Sequence, residues 1–327
     1  MRILITGVSG FVGSHLADYI LALDEGHEIY GMCRWRSSKD NIYHILNKIQ
    51  LYDADLCDAT STLRCIDTIR PDIIFHLAAQ SFVPVSFDSP ASTLNTNGVG
   101  TINLLEAVRL SNINPVIHIC SSSEVYGQVL EHELPITEKQ PFRPASPYAV
   151  SKCTEDLIGY QYFLSHGLKT IRTRSFTHTG PRRGETFVMS YFAKQIVMAE
   201  LRISAPVITV GNLHSIRTFL DVRDIVKAYW MLITKCEHGE VYNIAGKETM
   251  SIKKALELML SFSKIEVSVE IDKSLLRPSD VTLQVPSIAK FIKATGWEAS
   301  IPLEKTFKDM LDYWRVKIKS DNGGYKA

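Results

Sequence analysis

The chain has 327 residues, of which 45% are hydrophobic, so it is long enough to bury a large core. Its 36 Lys and Arg residues balance 35 Asp and Glu residues, and the net charge of +1 excludes a global basic field for nucleic acid or an anionic membrane. No apolar run reaches the roughly 18 residues of a membrane span, and the N-terminus lacks signal-peptide features. We therefore expect a cytoplasmic protein that binds neither nucleic acid nor membrane.

Short β-branched runs alternate with amphipathic helical stretches along the first half of the chain. Strands are predicted at residues 2–6, 28–32, 73–77, 116–120 and 170–174, and helices at residues 11–23, 61–69, 93–111 and 146–166. This alternation predicts crossover helices and an α/β fold with a doubly wound parallel sheet of the Rossmann type.

The alternation breaks after about residue 176, where loops rich in Gly, Pro and Arg and shorter mixed elements follow. We assign residues 1–176 to a cofactor-binding domain, to which residues 214–240 return. Residues 177–213 and 241–318 are assigned to a smaller C-terminal substrate lobe, and the polar segment 319–327 to a flexible tail.

A glycine-rich turn, GVSGFVG at residues 7–13, follows the first predicted strand and opens the first predicted helix. Gly7, Gly10 and Gly13 have the G-x-x-G-x-x-G spacing that lets backbone amides approach a pyrophosphate at the positive end of a helix. Phe11 and Val12 supply part of the same surface. A tight structural turn is the alternative, but the strand before and the helix after it favour a dinucleotide site.

The residues after the second predicted strand indicate which dinucleotide is bound. An NAD site usually has Asp or Glu there, whereas this chain has CRWRS at residues 33–37. The guanidinium groups of Arg34 and Arg36 and the hydroxyl of Ser37 suit a 2′-phosphate. We therefore predict NADP, with NAD as the alternative, and a solvated basic loop is the other interpretation of these arginines.

Tyr148 and Lys152 form a Y-x-x-x-K pair in the sequence SPYAVSK. On a helix these two side chains share one face, and a nearby ammonium lowers the pKa of a tyrosine, which then serves as a base for a sugar hydroxyl. An ordinary helix face is the alternative. Together with the glycine turn and Ser122, however, the pair resembles the extended short-chain dehydrogenase/reductases.

Several stretches narrow this resemblance to enzymes that act on nucleotide sugars, namely HLAAQ at residues 76–80, NTNGVGT at 95–101 and EVYG at 124–127. PRRGETFV at residues 181–188 is similar to the arginine loop of GDP-mannose 4,6-dehydratases, which in that family reaches a neighbouring subunit's cofactor. Residues 211–213, 217–224, 277–281 and 296–297 also resemble GDP-4-keto-6-deoxy-mannose reductases. The resemblance implies a GDP-sugar substrate and a homodimer or homotetramer.

The resemblance also assigns binding residues. Further cofactor contacts are expected from Asp55, Leu56, Leu77, Ala78, Ala79, Tyr148, Lys152, His178 and Arg183. Substrate contacts are expected from Gln80, Ser81, Thr177, Val188, Lys194, Asn212, Arg217, Arg277 and Asp280. Arg217, Arg277 and, as a third candidate, Lys194 supply the cations that a diphosphate needs. A solvated helix face is the alternative for Lys194, and the arginine loop serves either the substrate or a neighbouring subunit's cofactor.

The remaining catalytic candidates are Ser122, Ser123 and Glu124 in the run CSSSEVYG at residues 120–127. The resemblance implies that Ser122 binds the substrate hydroxyl beside Tyr148, while the role of Ser123 stays open. In the implied cycle Tyr148 deprotonates the C4 hydroxyl as the C4 hydride passes to NADP. Glu124 then removes the C5 proton and helps expel the C6 hydroxyl as water, and the hydride returns to C6.

We therefore predict a GDP-sugar 4,6-dehydratase, acting on GDP-mannose. Two departures from the family pattern keep alternatives open: the chain has Ser122 where those enzymes commonly have Thr, and THTG at residues 177–180 where they have Asn-His-Glu-Ser. The first alternative is a 4-dehydrogenase or 4-ketoreductase acting on a GDP-hexose or GDP-heptose, and a 4-epimerase is another. A structural carboxylate is the alternative for Glu124, and a nucleotide-sensing protein without catalysis is the alternative from another class.

Overall fold

The computed structural model describes residues 1–276 and 281–323. Over these residues the strands are β1 (Arg2–Thr6), β2 (Glu28–Cys33), β3 (Gln50–Asp53), β4 (Ile73–His76), β5 (Val116–Ser122), β6 (Lys169–Ser175), β7 (His178–Thr179), β8 (Val207–Val210), β9 (Ile216–Asp221), β10 (Val241–Ile244), β11 (Glu248–Ser251) and β12 (Ser268–Ile271). The α-helices are α1 (Phe11–Ala22), α2 (Ala59–Ile69), α3 (Val83–Asp88), α4 (Pro90–Leu94), α5 (Gly100–Leu110), α6 (Pro147–His166), α7 (Val188–Glu200), α8 (Val222–Lys235), α9 (Ile252–Leu260), α10 (Ala289–Thr295) and α11 (Leu303–Gly323).

A seven-stranded parallel sheet with the order β10-β6-β5-β4-β1-β2-β3 forms the centre of the molecule. This arrangement confirms the predicted Rossmann fold and its five predicted strands. The chain leaves β1 toward β2 and β3 and then returns to β4 on the other side of β1. The gap at the carboxyl ends of β1 and β4 is therefore the switch point at which such sheets bind ligands.

Apolar helix faces cover both sides of this sheet. Helices α1 and α8 pack on one side through residues such as Leu16, Ile20 and Leu232, and α2 and α5 pack on the other through Ile66 and Leu104. Each of these side chains contributes roughly 1.5–3 kcal/mol when it leaves water. The two helical layers hold the strand ends, and the loops that follow them, in fixed positions.

A second layer is built from the three-stranded sheet β11-β9-β7, the pair β12-β8 and helices α7, α9 and α11. Its own core contains Phe192, Phe219, Phe307 and Trp314. Strand β10 pairs with β6 in the large sheet, although our division placed residues from 241 onward in the second lobe. The division of the chain into two lobes stays a prediction.

The predicted helix over residues 93–111 is interrupted. Helix α4 ends at Leu94, a π-helical turn follows over Asn95–Val99, and α5 begins at Gly100. The Asn97 amide bonds to the backbone oxygen of Gln80 at 2.9 Å and to Ser151 Oγ at 2.8 Å. These contacts with distant segments, rather than local propensity, account for the altered turn.

Across residues 1–276 and 281–323, no helix combines the length and the apolar composition that crossing a bilayer requires. The same residues contain no group of three or more His, Cys, Asp and Glu side chains placed to hold a metal ion.

Three buried histidines make the fold sensitive to acid. Burial lowers the pKa of His76 and of His118 to about 3 and that of His15 to about 4, against an ordinary value of 6.5. The unfolded chain therefore binds more protons below pH 6.5. We expect the free energy of unfolding to fall by about 1.4 kcal/mol per pH unit for each of these histidines between roughly pH 5.5 and 4.5.

Urea unfolding followed by circular dichroism at pH 7, 6, 5 and 4.5 measures this slope. Replacement of the exposed His132 by Asn is the matched control, and the slope should not change. A free energy of unfolding that stays constant from pH 6.5 to 4.5 would contradict the assignment of neutral buried imidazoles.

Candidate active site

The glycine turn joins β1 to α1 at the switch point of the sheet. Gly7 has φ +69°, and a Cβ there would lie 2.9 Å from the Cα of Ala78. A Cβ on Gly13 would lie 2.4 Å from the Gly7 carbonyl oxygen. Side chains at these positions would therefore collide with Ala78 and with the turn itself, so glycine is needed for this tight turn before α1, whose capping residue is Gly10. The turn provides the open backbone cradle that a dinucleotide pyrophosphate fits.

The end of β4 is tied to the end of β1 beside this cradle. The backbone amides of Leu77 and Ala78 both donate to Thr6 Oγ1 at 3.0 Å. The buried His76 ring bonds to the same hydroxyl at 3.0 Å. This arrangement places the segment at residues 77–79 directly against the glycine turn, where we predicted cofactor contacts.

The residues proposed to bind the adenosine half lie along the neighbouring strand ends. Arg34 and Arg36 are exposed after β2, and Ser37 is half-buried beside them. The Asp55 carboxylate accepts a bond of 3.0 Å from the Cys57 backbone amide, while Leu56 is buried beneath it. Two exposed guanidinium groups and an oriented carboxylate are thus available at this edge of the sheet.

The Y-x-x-x-K pair begins helix α6. Ser146 caps the helix by accepting a bond of 3.1 Å from the Ala149 amide, and Pro147 occupies the first turn. Tyr148 is half-buried in that turn, and the Lys152 Nζ lies 6.0 Å from the centre of its ring. The helix therefore brings the phenol and the ammonium onto one face, as predicted from their spacing.

The pKa of Tyr148 differs from the expectation for a tyrosine beside a cation. Burial raises its pKa above the ordinary value, although the Lys152 ammonium and a hydrogen bond with Ser122 both lower it. A further opposing charge comes from Glu155, whose carboxylate raises the pKa of Tyr148. Burial therefore outweighs the effect of the single lysine.

The run CSSSEVYG lies at the carboxyl end of β5, beside Tyr148. The Ser122 hydroxyl accepts a bond of 3.2 Å from the Glu124 amide and so begins a 3-10 turn over Ser123–Tyr126. The turn leaves the Glu124 side chain half-buried, whereas Ser123 is buried. The Ser123 hydroxyl donates to Gln284 Oε1 at 3.3 Å. Ser122 and Ser123 therefore contact different neighbours, and Gln284 was not identified from the sequence because its partner is 161 residues away.

The arginine loop and His178, which precedes it in β7, pack against helix α1 of their own chain. His178 stacks on the Phe11 ring with a centroid distance of 6.0 Å, and the Arg183 guanidinium lies 4.8 Å from the same ring and 3.7 Å from that of Phe187. Arg182 pairs with Asp18 at 2.6 Å. Burial lowers the pKa of Arg183 to about 10, although Tyr148 opposes this effect. His178 and Arg183 therefore lie next to the glycine turn.

The predicted substrate contacts are distributed over both layers. The Gln80 side chain bonds to its own loop, donating to the Phe82 oxygen at 3.1 Å, and Ser81 is exposed beside it. The backbone oxygen of Thr177 accepts from Leu220 at 3.0 Å. Val188 is exposed at the start of α7.

The predicted diphosphate ligands lie in the second layer. Arg217 is buried on β9, where its Nη1 donates to the Ile216 oxygen at 3.1 Å, and Asn212 donates to Ser215 Oγ at 3.0 Å. Lys194 pairs with Glu185 and lines a cavity of about 410 Å³ between α7 and β8. Arg277 and Asp280, also predicted as substrate contacts, lie outside the described residues.

Comparison with known proteins identifies relatives along the whole chain. The family model described as GDP-mannose 4,6 dehydratase matches residues 4–310. The GDP-6-deoxy-D-mannose reductase of Pseudomonas aeruginosa is 31% identical over 98% of this chain and 99% of its own length. GDP-mannose 4,6 dehydratase 1 of Arabidopsis thaliana is 34% identical over 98% of this chain and 92% of its own length. The structure of RMD from Pseudomonas aeruginosa complexed with NADPH superposes with a TM-score of 0.83 at 31% identity, covering 97% of this chain and 99% of that one.

Proposed function

We propose that this chain converts GDP-mannose into GDP-4-keto-6-deoxy-mannose and water, because it belongs to the GDP-mannose 4,6 dehydratase family. One observation carries this proposal. Glu124 lies two residues after Ser122 in the turn that follows β5, its backbone amide donates to the Ser122 hydroxyl, and Ser122 in turn hydrogen-bonds with Tyr148. A single hydride transfer needs only the serine, tyrosine and lysine, whereas removal of water needs a second acid–base group.

The chain's own residues supply the proton transfers of this reaction. Tyr148 takes the proton of the C4 hydroxyl, and Ser122 orients that hydroxyl by hydrogen bonding. The resulting 4-ketone acidifies the neighbouring C5 proton. Glu124 removes this proton and delivers one to the C6 hydroxyl, which leaves as water. When bound, NADP would supply a hydride acceptor for C4 and the hydride donor for C6, and the proton that Tyr148 took from the C4 hydroxyl would pass to C5, so that neither the cofactor nor the protein is changed overall.

We assign the cofactor contacts to the groups around the switch point. The amides of the glycine turn would hold the pyrophosphate, Arg34 and Arg36 would bind the 2′-phosphate, and residues 77–79 would contact the cofactor next to the turn. His178 and Arg183, which contact Phe11 beside the glycine turn, would supply further contacts. The exposed guanidinium groups favour NADP over NAD because they satisfy a phosphate that NAD lacks.

We also propose a cytoplasmic homodimer or homotetramer. Helix α6 exposes a row of apolar side chains, Leu157, Tyr160 and Leu164, that a partner helix would cover. Size-exclusion chromatography with light scattering tests the oligomeric state directly, and a monomer at micromolar concentration would contradict it.

A second candidate function is 4-ketoreduction or 4-oxidation of a GDP-sugar without loss of water. It is favoured by the relative of Pseudomonas aeruginosa, which is named a reductase and aligns with 98% of this chain. The same Tyr148 and Lys152 would serve it, with one net hydride transfer and no role for Glu124 as an acid–base group.

Incubation of the purified protein with GDP-mannose, without added NADPH, separates the two functions. We expect mass spectrometry to detect a product lighter than the substrate by one water, and no net change in the cofactor spectrum. GDP-glucose is the matched control substrate, because it differs only in the configuration at C2. A product that differs by two hydrogens would support the second function, and GDP-mannose recovered without loss of water would contradict dehydration.

A further inference from the structure

Lys152 lies next to the buried carboxylate of Glu155, which is one turn further along helix α6. Both side chains are almost completely buried, with 5% and 1% exposure. The Lys152 Nζ lies 2.9 Å from each of the two Glu155 oxygens and donates to the Cys120 carbonyl oxygen at 3.0 Å. Two of the three N–H groups of this ammonium therefore have acceptors on the protein.

Lys152 is the counter-ion of the Glu155 carboxylate, because the other charged groups nearby are paired with each other. The neighbouring acid Asp156 is already held by Arg172 at 2.9 Å and Arg174 at 2.8 Å. The other titratable groups that face the pair from β4, β5, α6 and α8 are His76, His118, Cys120, Tyr148 and Tyr229. These groups are uncharged at neutral pH in this setting, because burial lowers the pKa of the two imidazoles and raises the pKa values of the thiol and the phenols.

We propose that Glu155 is a positioning residue that holds the Lys152 ammonium in place and, through its negative charge, sets the pH at which the Tyr148–Lys152 pair loses its first proton. The inference rests on the proposed role of Tyr148 as the base. The structural observation behind it is the buried hydrogen bond of 2.9 Å from Lys152 Nζ to Glu155 Oε2.

The net charge of Lys152 and Glu155 acts on the phenol of Tyr148. Burial disfavours the Lys152 ammonium, but the adjacent Glu155 carboxylate, together with Tyr148 and Cys120, outweighs this effect and keeps the pKa of Lys152 above its ordinary value. Burial likewise raises the pKa of Glu155 to about 7, although Lys152 lowers it. Above neutral pH the pair Glu155–Lys152 therefore presents almost no net charge to Tyr148. A negative charge near two coupled groups makes loss of a proton from either of them harder.

The test compares variants of the NADP-bound protein that change this charge. Glu155→Gln keeps the shape and an acceptor for Lys152 but removes the charge, whereas Glu155→Asp keeps the charge. We expect the acid limb of the pH profile of kcat to move about one pH unit lower in Glu155→Gln and to stay close to the wild-type position in Glu155→Asp. Lys152→Met removes a positive charge instead. In this variant the acid limb of the pH profile of kcat should move to higher pH.

A second readout needs no sugar substrate. The ultraviolet difference spectrum between each protein and its Tyr148→Phe version reports the ionisation of this phenol in the presence of NADP. The same displacement toward lower pH is expected for Glu155→Gln, so the inference is tested even if GDP-mannose does not lose water. If Glu155→Gln does not fold, Glu155→Leu carries the same neutral test.

The proposal would be overturned if the acid limb had the same pH position in the wild type and in a folded neutral variant, and the phenol titration did as well. A fall in kcat by the same factor at every pH would assign Glu155 a packing role only. A displacement toward higher pH would also overturn it, because it would mean that the carboxylate favours loss of the proton.

Discussion

The Tyr148→Phe variant is expected to lower kcat by about 10³-fold while NADP binding stays within a few-fold of the wild type. Phenylalanine fills the same half-buried space at the start of α6 but has no hydroxyl to accept the proton of the sugar. The loss belongs to the first chemical step, so reduction of bound NADP by GDP-mannose should slow by the same factor. Stopped-flow absorbance of the reduced cofactor measures that step, and fluorescence titration with NADPH measures binding.

Tyr43→Phe is the matched control, since the Tyr43 side chain is exposed and belongs neither to the proposed site nor to the apolar row of α6. Its kcat should equal that of the wild type within experimental error. If Tyr148→Phe retains more than a tenth of the wild-type kcat, Tyr148 is not the base, and the role of the Lys152–Glu155 pair would need another explanation.

The Glu124→Gln variant is expected to separate oxidation of the sugar from loss of water. Glutamine keeps the side-chain shape of Glu124 but can no longer accept the C5 proton. We expect bound NADP to be reduced at nearly the wild-type rate, whereas release of the dehydrated product falls by about 10²- to 10⁴-fold. Stopped-flow absorbance and quenched-flow mass spectrometry of the nucleotide sugar follow the two events in one experiment.

Glu131→Gln is the matched control, because Glu131 is an exposed acid only seven positions further along the chain. Both rates should be unchanged in that variant. Equal release of dehydrated product by Glu124→Gln and the wild type would assign Glu124 a structural role and favour the second candidate function. If Glu124→Gln lost both the reduction of the cofactor and the release of water, the proposed order, in which Tyr148 acts before Glu124, would be contradicted.

Five of the seven strands of the central sheet could be predicted because their signals are local, whereas β3 and β10 were not predicted. Ile3, Leu4 and Ile5 are buried on both faces of the sheet, so a strand between two helical layers appears as a continuous apolar run. The glycine turn was recognisable for a related reason, since its spacing is required by close backbone approaches within a few residues. The interrupted helix around Asn97 could not be predicted, because Gln80 and Ser151, which bond to Asn97, are distant in the chain.

The sequence by itself determined which chemical groups the site possesses, because the spacing of Tyr148 and Lys152 on one helix dictates that they share a face. Only the tertiary structure decided the charge around them. The burial of Glu155 against Lys152, the contact of Ser123 with Gln284 and the packing of Arg183 on Phe11 all depend on how separate layers meet. Burial and long-range contacts control pKa values and side-chain direction, and neither can be read from residue spacing.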